Sequence, residues 1–388
     1  DIYIKKFSLS FPKSFSVKNL QVRDDQGEVK AEMQSDGLKT KIEMEFNQPL
    51  VGKGLSNNFY LQYDQENIVK NNAGIWEMIL PVIEDRANAD YQATVILPDD
   101  QHKLNLAKPL PTAISGNKII WKNPTSKTIY GIFGEKQTYQ VELNYHLKNH
   151  NYTFVYTDIA LPPDLPHQKI YLLALEPQPK KVFLDSDGNY LARYVLKPGE
   201  EKNVVFTGLI ETSIKERNEV RQYANELLST QEKYLLSQTQ YWKLADVGQF
   251  SGLKSFQDVY DYTIKNLNYN FAGLNEKNTR LGAEKALANP DKAVCIEYSD
   301  LLIALAREKG FYTRELQGYA FSQESELRPI SLTTDVLHSW VEYYDKNRQS
   351  WIQVDPTWED TSGIDYFNSL DLNHLVFAIH GKEDDYPA

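Results

Sequence analysis

The 388-residue chain has a single cysteine, Cys295, and no run of eighteen apolar residues. One cysteine excludes an intramolecular disulfide and any cysteine-rich zinc site. The lack of a long apolar run excludes a membrane-spanning helix within this stretch. Basic residues are also short: 42 Lys and Arg stand against 53 Asp and Glu, for a net charge of −11. The deficit is concentrated from Phe250 onward, with 13 basic and 22 acidic residues against 29 and 31 in the rest. That excess of acid argues against nucleic acid, whose recognition needs clustered Lys and Arg. It mildly favours basic or amine-bearing partners, although acidity also serves solubility. The seven histidines are scattered, so no metal and no cofactor is expected. There is no signal peptide, yet the chain starts abruptly on the strand-like Asp1-Ile2-Tyr3. This suggests an excised ectodomain with its signal and anchor left out, and so an extracytoplasmic or cell-surface location.

What is present is ordinary for a globular chain with a core: 41% hydrophobic and 24% charged residues. The length suggests two or three domains. Residues 1–112 alternate in the manner of strands, as in Lys41-Ile42-Glu43-Met44-Glu45-Phe46. Turn residues such as Asp24-Asp25-Gln26-Gly27 punctuate them, which predicts a β-sandwich-like domain. Lys108-Pro109-Leu110-Pro111 reads as a boundary. A second β-sandwich-like domain is expected over 113–212, with strands at Thr138–Tyr145 and Tyr152–Tyr156. Asp185-Ser186-Asp187-Gly188-Asn189 resembles the start of a calcium loop, but the twelfth position is Leu196, not Glu. Asp-Gly and Gly-Asn favour a hairpin turn there instead. Asn151-Tyr152-Thr153 matches a glycosylation sequon, which matters only in a eukaryotic secretory setting. Residues 213–249 read as a helical linker. Residues 250–388 form the last unit. Ser255 is a helix N-cap with Asp258 three positions on, and Thr279–Ala288 reads as a shorter helix.

Cys295 opens a further helix, since Tyr298, Leu301, Leu302 and Leu305 recur at helical spacing and Gly310 follows as a stop. Alone, a cysteine in this setting is more often a small core residue. A helix N-terminus, however, favours the thiolate, which is the reactive form. His338 opens the strand SWVEYYD and Asp355 closes the next, SWIQVDP, with the turn Asp345–Arg348 between. Paired antiparallel strands bring His338 and Asp355 side by side. Helix N-terminus plus hairpin then supplies nucleophile, base and orienting acid.

The pattern C-x-E-Y-x-x-L-x-x-A-L-A-R-x-x-G from Cys295, then H-x-W-V-E from His338, then W-x-x-V-D-P-T-W from Trp351 resembles the transglutaminase-like superfamily. Three separated blocks occur in the right order, over roughly Leu253 to Leu375. The resemblance implies an α+β papain-like fold with Cys295 as nucleophile, His338 as base and Asp355 as orienter. Two β-domains ahead of it are similar to the layout of some bacterial surface members. The resemblance also implies an oxyanion hole, with the Cys295 backbone N–H as one donor. Animal members use a Trp side chain as the second donor, but no Trp lies between Trp242 and Cys295. Tyr269 is the candidate replacement. Trp340 and Trp358 either line the cleft or pack, and Glu297 and Tyr298 support the helix. The implied activity is thiol acyl transfer on protein or peptide amides: transamidation, deamidation or hydrolysis. The alternative is a cell-surface binding or scaffold module whose transglutaminase-like domain is vestigial.

Overall fold

The computed structural model describes the chain except residues 1–4, 13–15, 36–38, 53, 67, 73–74, 83–89, 99–103, 127, 272–278, 321–336, 363–364, 369 and 388. The chain forms two compact units, residues 1–71 with 77–80, and residues 72–76 with 81–388. In the first, Lys39–Glu45 pairs with both Lys6–Pro12 and Ala31–Ser35, and Lys18–Asp24 pairs with Gly27–Glu28 and Tyr60–Asp64. The alternation read from the sequence sets the burial here. Ile42 and Met44 are fully buried beside Val22 and Val29, while Lys41 and Glu43 between them face outward. The turn at Asp24 is held by its own carboxylate, which accepts from Gln26 N at 2.8 Å and Asn47 N at 2.8 Å. Gly27 completes it with a φ of 135° that a side chain would resist.

The second unit corrects the expected boundary at residue 112. Strand Gln92–Ile96 pairs with Lys118–Lys122, and Leu104–Lys108 pairs with Thr128–Phe133. Both ladders cross residue 112, so the Pro-rich segment connects two sheets that each take strands from both sides of it, and is not a division between domains. Next come two three-stranded antiparallel sheets. Glu201–Ser213 runs between Lys136–Lys148 and Gln168–Glu176, and Tyr190–Leu196 runs between Val155–Leu161 and Lys181–Leu184. Leu161, Leu175, Tyr194, Val204 and Phe206 fill the core shared by these two sheets. The expected strand at Tyr152 begins only at Val155. In the linker only Asn218–Gln231 is α-helical, and a short 3-10 turn begins at Gly248.

The Asp185 loop is a hairpin turn joining Lys181–Leu184 to Tyr190–Leu196. Asp185 accepts from Asp187 N and Asn189 N at 2.9 and 2.8 Å. The turn has a second task. The Asn189 amide donates to Ile379 O at 2.8 Å and accepts from Ile379 N at 2.8 Å. Gln168 does the same to Val376, at 2.9 and 2.8 Å. Two amides thereby satisfy the outer backbone groups of strand His374–His380, an edge of the C-terminal sheet. This binds the β-region to the C-terminal sheet within one unit, in place of the three separate units that the sequence suggests.

The C-terminal sheet runs in the order Ser350–Val354, Leu337–Asp345, Thr313–Ala320, His374–His380. The helix Cys295–Glu308 packs on it, with Tyr298, Leu301, Leu302 and Leu305 fully buried. Gly310, at φ 81°, ends that helix, and Phe311 N returns to Ala306 O at 2.9 Å. Helix Phe256–Asn266 begins at the Ser255 cap, where Ser255 and Asp258 cap each other's backbone. The shorter helix spans Ala283–Ala288. No helix among the described residues is long and apolar enough to cross a membrane.

Candidate active site

Cys295 is the first residue of its helix and is partly exposed. Glu297 holds the entry to that helix, its carboxylate accepting from Val294 N at 3.1 Å and from Leu281 N at 3.0 Å. Tyr298 donates to Asp360 at 2.5 Å. Both residues thus support the helix, as the sequence suggests.

His338 is buried and lies beside Cys295, whose sulfur favours the protonated imidazole. Its Nε2 is 2.7 Å from Asp355 Oδ2. Its Nδ1 is buried and has no hydrogen-bond partner. Burial alone would push the His338 proton off, but the Asp355 charge, the bond to Asp355 and the adjacent thiol outweigh it. The pKa is raised to about 10. The ladder does not set His338 against Asp355 directly, because it ends with Val341 paired to Val354. Asp355 lies one residue beyond the strand and caps a helix, Pro356–Ser362, that the sequence did not reveal. Its Oδ1 accepts from Thr357 N and Trp358 N, both at 3.0 Å. Pro356 suits the first helical position, where no N–H is needed. Buried as it is, Asp355 would tend to hold a proton; His338 and His374 reverse this and keep it well below the usual carboxylate range.

His374 is the residue that sequence reasoning missed. Its Nε2 is 3.1 Å from the same Asp355 oxygen, and its Nδ1 is 2.7 Å from Asp371 Oδ1. The only signal was the spacing Asp371-Leu372-Asn373-His374, too common to single out. Asp371 also accepts from Tyr366 Oη at 3.0 Å. Beyond it the buried ammonium of Lys108 lies 3.6 Å from the Tyr366 ring centre with no hydrogen-bond partner. Among the described residues, His338, Asp355 and His374 are the one group of three metal-ligand types with donor atoms within 4.8 Å of one another. Their facing atoms already engage each other through the shared Asp355 oxygen.

The two tryptophans pack around these imidazoles. Trp340 stacks on His338 at 5.6 Å and 19°, fully buried, with its Nε1 donating to Gln353 at 3.0 Å. Trp358 sits 5.8 Å from His338 and 4.8 Å from His374. Both are buried, so they wall the imidazoles rather than line an open cleft. Tyr269 is buried, and its hydroxyl has no hydrogen-bond partner. Burial, followed by the proximity of Cys295 and Asp355, raises its pKa, so it stays a protonated donor. A cavity of about 580 Å³ opens beside His374 and Asp371, lined also by Glu216, Arg221 and Ile352 among others. Cys295 is not among its walls.

Residues 246–356 match the model of the transglutaminase-like superfamily. No curated protein matches the chain. Among solved structures it is similar to a candidate cysteine protease from Cytophaga hutchinsonii, at 15% identity over 65% of this chain and 86% of that one, with a TM-score of 0.38. It is also similar to the periplasmic domain of TgpA from Pseudomonas aeruginosa, at 14% identity over 72% and 92%, with a TM-score of 0.32. A third, a candidate protease from Parabacteroides distasonis, is 11% identical over 90% and 59%, with a TM-score of 0.21. With the three sequence blocks and the packing of helix on sheet, the family match establishes that this strand-rich chain carries a transglutaminase-like domain in its C-terminal part.

Proposed function

We propose that the chain is a thiol acyl-transfer enzyme acting on protein or peptide amides. The observation that carries this reading is the placement of His338. One ring nitrogen is fixed by Asp355 at 2.7 Å, and the other is left unpaired next to a partly exposed cysteine at a helix start. In the proposed reaction the Cys295 sulfur attacks the amide carbonyl carbon, and the carbonyl π electrons move to oxygen. The Cys295 N–H and the unpartnered Tyr269 hydroxyl donate to that oxyanion. As the C–N bond breaks, His338 gives its proton to the leaving nitrogen, and a thioester remains. His338 then takes a proton from the incoming nucleophile. Water gives an acid, by hydrolysis or deamidation, and an amine gives a new amide. Asp355 and the walls Trp340 and Trp358 keep the imidazole oriented.

An extracytoplasmic or cell-surface site of action is part of this proposal. A binding module with vestigial chemistry is the second reading; the partial exposure of Cys295 weighs against it. The direct test exposes surface proteins to the enzyme and to its Cys295→Ala variant. Isopeptide bonds, new termini or Gln-to-Glu changes that appear only with the active thiol are expected, and which of the three appears names the reaction. An identical proteome with both proteins would favour the binding module.

A further inference from the structure

Asp355 accepts from two imidazoles through one oxygen, His338 at 2.7 Å and His374 at 3.1 Å, while its other oxygen caps a helix. His374 in turn has both ring nitrogens on carboxylate oxygens, Asp355 at 3.1 Å and Asp371 at 2.7 Å. An ionised carboxylate only accepts, so both nitrogens of His374 must carry hydrogen, and the ring is an imidazolium. Its surroundings suit a cation. The rings of Trp358, Trp340 and Tyr366 lie 4.8, 5.1 and 5.8 Å from its centre.

We propose that His374 is a permanently charged positioning residue, a second donor that limits how tightly Asp355 can hold the His338 proton. The inference rests on the reading of Cys295 and His338 as the reactive pair. A lone buried carboxylate would spend its whole charge on His338. With a second cation on the same oxygen, the rings 5.9 Å apart, that hold is weakened, and His338 can release its proton to a leaving amine. The other groups facing this cluster fit the same balance. Asp371 is countered by Lys108 from strand Leu104–Lys108, and Tyr366 donates to Asp371. Glu359 and Asp365 act on Lys108 from further away, and the Tyr260 hydroxyl donates to the Asp355 backbone carbonyl at 3.0 Å. On its other side His338 faces Cys295. The protonated states of both imidazoles are favoured by their partners despite burial.

Two measurements test the proposal. The first uses the wild-type protein labelled with nitrogen-15 at histidine, with His374 assigned by its loss in His374→Gln. Both its nitrogens are expected at imidazolium shifts from pH 6 to pH 8; a neutral tautomer at pH 7 overturns the proposal. The second follows alkylation of Cys295 by iodoacetamide against pH. The upper inflection, where His338 loses its proton, is expected to rise on the order of one pH unit in His374→Gln. Asp371→Asn, which keeps the ring but removes its second carboxylate, is expected to move it the same way. An unmoved inflection in a folded variant of either kind overturns the role. A separate control, His338→Ala, reads the reactive pair itself. Alkylation insensitive to that change would defeat the enzymatic reading while leaving the His374 spectrum as its own result.

Discussion

His338 is subject to opposed effects. Burial disfavours its charge, whereas Asp355 and Cys295 favour it, and the balance raises its pKa to about 10. In the chemistry proposed above, His338 is the base that serves Cys295, so His338→Ala should slow iodoacetamide labelling of Cys295 near pH 7 by about tenfold or more, read by mass spectrometry. The same raised pKa has a stability consequence. Below pH 6.5 the ring is protonated both folded and unfolded, and its full contribution is present. That contribution is lost as pH rises toward 10, where the folded ring deprotonates. Lys108 acts in the reverse sense: burial lowers its pKa to about 8, so stability is regained as pH rises from there to its ordinary value. The urea midpoint of the wild type, compared with His338→Gln, should therefore fall more steeply between pH 6.5 and 10. Parallel curves would mean that the raised pKa does not exist. Asp355→Asn should lower turnover about a hundredfold, as acids that orient rather than react do. It should also lower the melting temperature, because this carboxylate holds two imidazoles and a helix N-terminus at once. Asp355→Ala adds the loss of the cap, about 1 kcal/mol. A variant that melts and reacts like wild type would leave Asp355 no role in the site.

At the scale of elements, the site depends on how closely three strands approach. Gly318 lies opposite His338 on one side and Val376 on the other. A Cβ built there would meet Leu375 O at 1.9 Å. No rotamer relieves a clash with backbone, so Gly318→Ala must push the His374 strand away from the His338 strand. The expected cost is about 3 kcal/mol, with loss of the His374–Asp355 bond. Thermal unfolding and the nitrogen-15 spectrum would read both; normal values for each would show that the strands can part freely. Helix Pro356–Ser362 teaches a related lesson. Its seven residues are too few to show a periodic apolar face, and its cap was already assigned to catalysis. One carboxylate serving two purposes hid the element that positions it.

At the scale of the molecule, the C-terminal sheet borrows partners from the β-region. Asn189 pairs with both the N–H and the C=O of Ile379, and Gln168 does so with Val376. Replacing Asn189 by Leu leaves two buried backbone groups unpaired, an expected cost of about 2–4 kcal/mol. Denaturation of Asn189→Leu should show that loss, and faster hydrogen exchange should localise it to His374–His380. Unchanged exchange there would mean that the edge strand does not need the amide. Domain limits read from composition failed for the same reason. A Pro-rich stretch marks a break in local pairing, but the ladders that cross residue 112 join strands far apart in sequence, and nothing local announces them.

Much of the chemistry was local and therefore readable. The helix at Cys295, its Gly310 stop, the Ser255 cap, the hairpin from His338 to Asp355 and the turn at Asp185 each depend on residues within a few positions of one another. Alternation gave the β-class of the first two hundred residues because the period of a strand is written in the sequence. The sequence alone thus determined the class of most segments and singled out Cys295, His338 and Asp355 as the proposed nucleophile, base and acid. Only the tertiary structure decided which groups surround them. His374, Asp371 and Lys108 come from separate elements, and their charges are balanced only where burial removes water and makes each carboxylate seek a partner. The merging of the expected domains was decided there too, by amides that recognise backbone groups rather than side chains and so leave no mark on the strand they hold.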